Sequence, residues 1–119
     1  MKMKSVLLVS HGSRSAQTKV EVEALVNRLK KLNVAAIIHY AFLELETPSI
    51  PQGIDLCVQK GVSEIIILLN FLNSGKHVNE DIPTFIKQAQ QKYPAVKFQI
   101  TAPVGQHPGI DALFVDLIQ

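Results

Sequence analysis

The chain has 119 residues, of which 47% are hydrophobic and 18% are charged, and its 12 Lys and Arg against 10 Asp and Glu give a formal net charge of +2. This length suits one domain, and the balanced composition excludes a disordered, fibrous or collagen-like chain. The small positive surplus is spread over both halves, so we expect no nucleic-acid partner. We interpret residues 1–119 as a single folded domain.

Cysteine content and the length of the apolar runs bear on the cellular compartment. Cys57 stands alone, so the sequence offers no internal disulfide and no CxxC pair for zinc or redox chemistry, and we expect a buried, inert thiol. The apolar run after the basic N-terminus covers only residues 6–9, which is too short for a secretory signal. A membrane-spanning helix needs about 20 apolar residues, and no run here approaches that length. We therefore expect a cytoplasmic protein with no membrane partner.

Short β-rich runs alternate with helical patterns along the chain, which is typical of βαβ units around a parallel sheet. The first run, Ser5–Ser10, is apolar without alternation, as in a strand covered on both faces. Gly61 is expected to cap the second helix, and Pro83 falls in the first turn of the third. The predicted strands are 5–10, 34–42, 64–69 and 96–101, and the predicted helices are 18–32, 48–60, 81–91 and 108–118.

Right-handed crossovers and two covered faces favour a doubly wound, flavodoxin-like α/β fold. We expect a three-layer α/β/α sandwich around a four-stranded parallel sheet with strand order 2-1-3-4. Ligands of such sheets bind beyond the carboxyl ends of the strands, where the winding direction switches. Here that point lies between the loops after the first and third strands.

The loops at the predicted switch point contain residue types that bind metals. His11 follows the first strand, His77 follows the third, and Glu44 arrives from the second. Two imidazoles and a carboxylate hold a divalent transition metal while leaving coordination positions open. Gly12 and Gly75 lie beside the two histidines, where they permit close backbone approach and leave space over the sheet edge. Taken together, these residues favour a metal site over ordinary hydrogen-bonded surface histidines.

Other reactive side chains have simpler interpretations. His39 lies within the second strand and is expected to be a satisfied core or interface histidine. His107 is expected to shape the turn into the last helix, although its edge position keeps it as a minor site candidate. Asp81 lies four residues after His77. For this carboxylate, capping the third helix is favoured over orienting the imidazole.

The sequence lacks the motifs of nucleotide-binding enzymes and hydrolases. A GxxxxGK[ST] motif is excluded because Asn70 and His77 occupy two of its required positions, and GxGxxG is absent, so we expect neither ATP nor NAD. No GxSxG hydrolase motif occurs. By default Arg14 and Lys76 are solvated cations, but beside the cleft they also suit an anionic ligand.

Four segments carry a resemblance to a known family. The first is His11–Arg14, with the sequence HGSR. The others are FLEL at 42–45 followed by PSI at 48–50, FL at 71–72 leading to GKHV at 75–78 and DIP at 81–83, and APVG at 102–105 with HP at 107–108. In this order and across nearly the whole chain they resemble the small sirohydrochlorin chelatases of the CbiX/SirB type.

The resemblance implies an ATP-independent lyase that inserts Co²⁺, or in relatives Ni²⁺ or Fe²⁺, into sirohydrochlorin for the synthesis of cobalamin, cofactor F430 or siroheme. In that family His11 and His77 match the metal-binding histidines, and Glu44 matches an acidic residue near the site. Double-length members contain two such domains that face a common cleft, whereas single-length members pair. The resemblance therefore implies a homodimer.

The chemistry of the residues agrees with such an enzyme. Neutral imidazole can bind a metal loosely and can also accept a proton from a pyrrole N–H, so we expect His11, Glu44 and His77 to be catalytic. Sirohydrochlorin is a polycarboxylate, which cationic side chains would orient and glycines would accommodate. The residues expected to contact it are Gly12, Ser13, Arg14, Gly75 and Lys76.

Two other functions stay open at this point. The same cleft would serve a metal or tetrapyrrole carrier that performs no insertion. A phosphoryl-transfer enzyme with His11 as nucleophile is disfavoured, because no arginine directly precedes the histidine. The metal itself is also open, since imidazole and carboxylate bind Co²⁺, Ni²⁺, Fe²⁺ and Zn²⁺ alike.

Overall fold

The computed structural model describes residues 3–32 and 37–119, and its four strands form one parallel sheet in the order β2-β1-β3-β4. The predicted strand order is therefore confirmed. The strands are β1 Lys4–Ser10, β2 Ile37–Phe42, β3 Glu64–Leu69 and β4 Lys97–Ile100. The α-helices are α1 Ala16–Lys31, α2 Ile50–Gln59, α3 Ile82–Lys92 and α4 Ile110–Ile118, and a π-helical turn, His77–Asp81, and a 3-10 turn, Val104–Gln106, complete the elements.

The element boundaries differ from the predicted ones by a few residues at most. Helix α1 begins two residues earlier than expected, directly after Ser15, whose extended backbone marks the N-cap. Residues 34–36 of the predicted second strand lie outside the described residues. Gly61 has a φ of +75° just beyond α2, and its N–H donates to the carbonyl oxygen of Val58 at 2.9 Å, so it ends the helix as expected.

Helices cover both faces of the sheet around the central strand β1. On one face, α2 and α3 pack on residues such as Leu7, Val9 and Ile67, and on the other face α1 packs on Leu8 and Phe42. Burying each such side chain contributes about 1.5–3 kcal/mol. The continuous apolar pattern of β1 thus reflects burial on two faces.

Cys57 lies in the core, as expected. Its side chain is fully buried on α2, and the Oγ of Ser5 lies 3.1 Å from its Sγ and 3.1 Å from the carbonyl oxygen of Ile37. Burial raises the pKa of the Cys57 thiol, although the Ser5 hydroxyl acts in the opposite direction. The thiol therefore stays protonated and unreactive at neutral pH.

The last helix, α4, has an apolar stripe that is not buried. Its apolar residues recur at three- and four-residue steps, the spacing of one helix face, yet none of its residues is buried, and Leu117 and Ile118 are 80% and 81% exposed. A groove of about 610 Å³ separates the beginning of α4 from Leu68 and Thr101. The stripe is formed by Ile110, Leu113, Phe114, Leu117 and Ile118. None of the helices described is long and apolar enough to cross a membrane.

The loop after β1 packs tightly against the segment after β2. Gly12 has a φ of +99°, and a Cβ placed on it would overlap the carbonyl oxygen of Glu44. Two backbone hydrogen bonds join the segments, from Leu43 N–H to Ser10 at 2.9 Å and from Glu44 N–H to His11 at 3.0 Å. The space beside Gly12, which the sequence suggested was left for a ligand, is therefore filled by the chain itself.

This packing predicts unequal effects of alanine at two glycines. We expect Gly12→Ala to lower the free energy of unfolding by about 2 kcal/mol or more, because a left-handed backbone alone costs roughly 1–2 kcal/mol with a side chain and the overlap adds to it. Gly75→Ala is the matched control, since no atom lies within 4 Å of a Cβ there; its effect should stay within about 0.5 kcal/mol. Urea unfolding of the two variants measures both values, and equal stabilities would contradict the packing.

His39 on the edge strand β2 is not a satisfied core histidine among the described residues; the interface role of the same expectation stays a prediction. Its Nε2 is buried and has no hydrogen-bond partner among the described residues. Burial lowers the pKa of His39, and the positive charges of Lys30 and Lys60 lower it further. The folded protein therefore holds this imidazole in its neutral form more strongly than the unfolded chain does.

A lowered histidine pKa makes stability depend on pH. As pH falls through about 6.5, the unfolded chain binds a proton at His39 that the folded protein does not yet bind, so the free energy of unfolding decreases. We expect His39→Leu to weaken this loss between pH 7.5 and pH 5.5. Urea unfolding of both proteins at the two pH values tests this, and an equal loss in both would show that His39 does not contribute.

Candidate functional site

Two imidazoles meet at the carboxyl edge of the sheet. His11 directly follows β1, and His77 begins the π-helical turn that precedes α3. Their ring centroids are 5.2 Å apart, with the ring planes tilted by 42°. Because β1 and β3 are paired neighbours in a parallel sheet, their carboxyl ends open onto the same edge. The two histidines thus face each other at the switch point, as the sequence predicted.

A carboxylate from the segment after β2 accompanies His11. The Oε1 of Glu44 lies 2.9 Å from the Nε2 of His11, and both side chains are about half exposed. The backbone hydrogen bond from Glu44 N–H to the His11 carbonyl brings the two residues together. This pair joins parts of the chain that are 33 residues apart, so it exists only in the folded protein.

A second carboxylate accompanies His77. The Oδ2 of Asp81 lies 2.6 Å from the Nδ1 of His77, one helical turn away in sequence. The Asp81 backbone is helical, and its side chain makes no capping hydrogen bond to α3. The expectation that Asp81 caps the helix is therefore wrong. Its carboxylate contacts the imidazole of His77 and not the backbone N–H groups at the start of α3.

The site consists of two carboxylate–imidazole pairs placed side by side. Among residues 3–32 and 37–119, no three His, Cys, Asp or Glu side chains are grouped closely enough to hold one metal ion. A neutral imidazole nitrogen binds a borderline divalent metal, and nearby carboxylates favour a cation electrostatically. The two carboxylate–imidazole pairs can therefore bind a cation loosely and accept protons.

A hollow of about 230 Å³ opens beside the two pairs. Glu44, His77 and Asp81 line its polar side, and Leu43 and Phe85 line its apolar side. Half-exposed ionisable groups next to apolar walls are typical of binding sites for ligands with both characters. The hollow therefore extends the candidate site from the edge of the sheet toward α3.

The residues predicted to contact substrate lie on this same edge. The backbone N–H of Ser13 donates to the Oε2 of Glu46 at 3.0 Å, and its Oγ accepts a hydrogen bond from Ser15 N–H at 3.0 Å. The remaining predicted contacts, Arg14, Gly75 and Lys76, are exposed. Their contact with a substrate stays a prediction.

Two exposed leucines and one glycine in the loops at this edge were assigned no role from the sequence, although all three lie in segments that carry the family resemblance. Leu45, between the two glutamates, is 60% exposed and has a φ of +69°, a strained backbone for a residue with a side chain. Leu72, in the loop after β3, is 61% exposed. A Cβ on Gly105 would overlap the Leu72 carbonyl, so this glycine lets the loops after β3 and β4 pack together.

His107 shapes the turn into α4, as expected. Its Nδ1 accepts a hydrogen bond from the N–H of Gly109 at 2.8 Å, and its carbonyl accepts one from the N–H of Ile110 at 3.0 Å. The imidazole of His107 thus stabilises the backbone of the turn through its Nδ1.

Comparisons with known proteins identify relatives of this chain. The chain is 36% identical over 105 residues to a sirohydrochlorin cobaltochelatase of Priestia megaterium, covering 88% of this chain and 34% of that protein. It is 33% identical over 102 residues to the chloroplastic sirohydrochlorin ferrochelatase of Arabidopsis thaliana, covering 86% of this chain and 45% of that protein. The chain spans less than half the length of both relatives.

A solved structure has the same fold. The crystal structure of the sirohydrochlorin chelatase SirB from Bacillus subtilis subspecies spizizenii in complex with cobalt superimposes with a TM-score of 0.86 and 29% identity, covering 99% of this chain and 50% of that one. The CbiX family model matches residues 5–119, which include the complete candidate site and all four strands except Lys4, the first residue of β1. With this match over nearly its whole length, the chain belongs to the CbiX family.

Proposed function

We propose that the protein is an ATP-independent chelatase that inserts a divalent metal ion into sirohydrochlorin. The observation that carries the proposal is the approach of His11 and His77 to 5.2 Å, each with its own carboxylate, at the open edge of a CbiX fold. The relatives, a cobaltochelatase and a ferrochelatase, support the same reaction. Co²⁺ is the first candidate metal, and Fe²⁺ and Ni²⁺ follow.

Metal insertion exchanges one divalent cation for two pyrrole protons, so charge is conserved when both protons leave. In the proposed reaction, His11 and His77 hold the incoming metal ion through neutral imidazole nitrogens. Glu44 binds the ion or accepts a proton as it leaves the macrocycle. Imidazole and carboxylate ligands release the ion more readily than a thiolate set would, which suits a metal that is a substrate.

The surroundings of the two pairs suit a flat, polyanionic macrocycle. Arg14 and Lys76 are exposed cations in the loops that contain the two histidines, where they would attract the carboxylates of sirohydrochlorin. Leu45 and Leu72 expose apolar surface in the loops after β2 and β3, which a tetrapyrrole ring would cover. Both properties belong to the same edge of the sheet.

The proposed active form is a homodimer. SirB has about twice the length of this chain and matches it over one half, so a second copy would take the place of the other half. The apolar stripe of α4 supports pairing, because four of its five side chains, Leu113, Phe114, Leu117 and Ile118, are exposed, and monomers rarely leave such an apolar helix face in water.

Replacing either histidine tests the proposed reaction. We expect His11→Ala and His77→Ala each to lower the rate of metal insertion by about 100-fold or more, because each removes a metal ligand and proton acceptor. His39→Gln is the control, since it removes an imidazole outside the site. Mixing each protein with sirohydrochlorin and Co²⁺, Fe²⁺ or Ni²⁺, and following absorbance against the uncatalysed rate, gives the measurement.

The same assay separates an enzyme from a carrier. Wild-type protein that binds metal or macrocycle but accelerates insertion of none of the three ions would be a carrier, and the proposed function would be wrong. Full activity in both alanine variants would remove the two histidines from the mechanism. Because both side chains are about half exposed, circular dichroism should show the variants folded like the wild type.

A charge on the apolar stripe of α4 tests the dimer. We expect Leu117→Asp to shift the protein from dimer to monomer, because it would bury an unpaired carboxylate at the interface. Ala112→Asp adds the same charge on the opposite side of the helix and should leave the dimer intact. Light scattering after size exclusion measures the mass, and a wild-type monomer at every concentration would contradict the proposed pairing.

A further inference from the structure

The two histidines differ in the ring nitrogen that lies within hydrogen-bond distance of a carboxylate. His77 uses Nδ1, which lies 2.6 Å from Asp81, whereas His11 uses Nε2, which lies 2.9 Å from Glu44. Asp81 and His77 belong to the same five-residue turn of the backbone. Within the described residues, His77 is the one hydrogen-bond partner of the Asp81 side chain. The Asp81 carboxylate is therefore committed to His77.

The backbone of this stretch is a π-helical turn, His77–Asp81, that continues directly into α3. The N–H of Ile82 donates to the carbonyl of His77, and the N–H of Asn79 donates to the carbonyl of Gly75 at 2.9 Å. These bonds fix both ends of the turn and hence the distance between the two side chains. Single π-helical turns are uncommon and occur frequently at functional sites.

We propose that Asp81 is a positioning residue that holds His77 in one tautomer, with the proton on Nδ1 and the lone pair on Nε2. An ionised carboxylate only accepts hydrogen bonds, so the Nδ1 that faces it must carry the N–H. A neutral imidazole has one N–H, which leaves Nε2 as the nitrogen that binds a cation. The carboxylate also fixes the rotation of the ring, so Nε2 is oriented before the metal arrives.

The tautomer matters because an unpartnered imidazole divides its proton between two nitrogens. A metal ion that meets the wrong tautomer must wait for a proton to move, and a freely rotating ring presents its lone pair in many directions. Partners of this kind typically change metal affinity or activity by about 10–100-fold. Asp81 would therefore act on the cation through His77 without touching it.

This inference rests on the proposed function for its purpose, but its main test does not require catalysis. The metal-free protein is labelled with ¹⁵N-histidine, and the imidazole nitrogens are observed by NMR at alkaline pH, where imidazole is neutral. We expect His77 of the wild type to populate the Nδ1–H tautomer. In Asp81→Ala the signal should move to a mixture of tautomers. Glu80→Ala, which removes a neighbouring carboxylate from the same turn, should resemble the wild type.

The affinity for Co²⁺ supplies the second readout. Titration with the metal alone should give a dissociation constant about 10–100-fold higher for Asp81→Ala than for Glu80→Ala. A wild-type His77 that carries its proton on Nε2 would overturn the inference, and that result needs no variant to fold. Unchanged tautomers and unchanged Co²⁺ affinity in Asp81→Ala would also overturn it. A wild type that locks the tautomer but inserts no metal would contradict only the proposed function.

Discussion

The pairing of β1 with β3 is the constraint on which the site depends. Adjacent strands lie about 4.8 Å apart, and the two histidines that follow these strands have their rings 5.2 Å apart. The last pair in the register, Val9 opposite Leu69, is buried in the core, so both loops leave from packed strand ends. Any topology that separated these two strands would also separate the imidazoles.

The two carboxylate–imidazole pairs are built in different ways. His77 and Asp81 share one helical turn, so their contact needs little beyond local backbone geometry. Glu44 reaches His11 only because the segments after β1 and β2 are joined by backbone hydrogen bonds over Gly12, where no side chain fits. One half of the site is therefore locally determined, while the other half depends on the packing of two distant loops.

Helix α4 differs from the other helices because none of its residues is buried. The sheet, α1, α2 and α3 bury two apolar clusters, one on each face of the sheet, and neither cluster includes a residue of α4. Its apolar stripe and the groove beside it leave exposed surface that a protein of this size normally covers. In SirB, which is about twice as long, a second half of the chain accompanies the half that matches this protein.

The pattern of residue types is sufficient to predict the order of strands and helices, the switch point and the pair of histidines. Hydrophobic periodicity records burial directly, and loops after parallel strands must open onto one edge. Residue types at the strand ends were therefore sufficient to select His11 and His77, and the spacing of a known family placed Glu44 beside them.

The contacts of individual side chains, in contrast, could not be predicted before the fold was known. The spacing of Asp81 from His77 permits either a helix cap or an imidazole partner, and the distance of 2.6 Å selects the second. Gly12 is required because the carbonyl of Glu44 fills the place of a side chain, and the lack of a hydrogen-bond partner for His39 Nε2 among the described residues is visible only in the packed fold. Hydrophobic periodicity in the sequence shows which face of a segment is buried. These contacts, in contrast, depend on the distances between side chains and backbone atoms, which are known only from the folded structure.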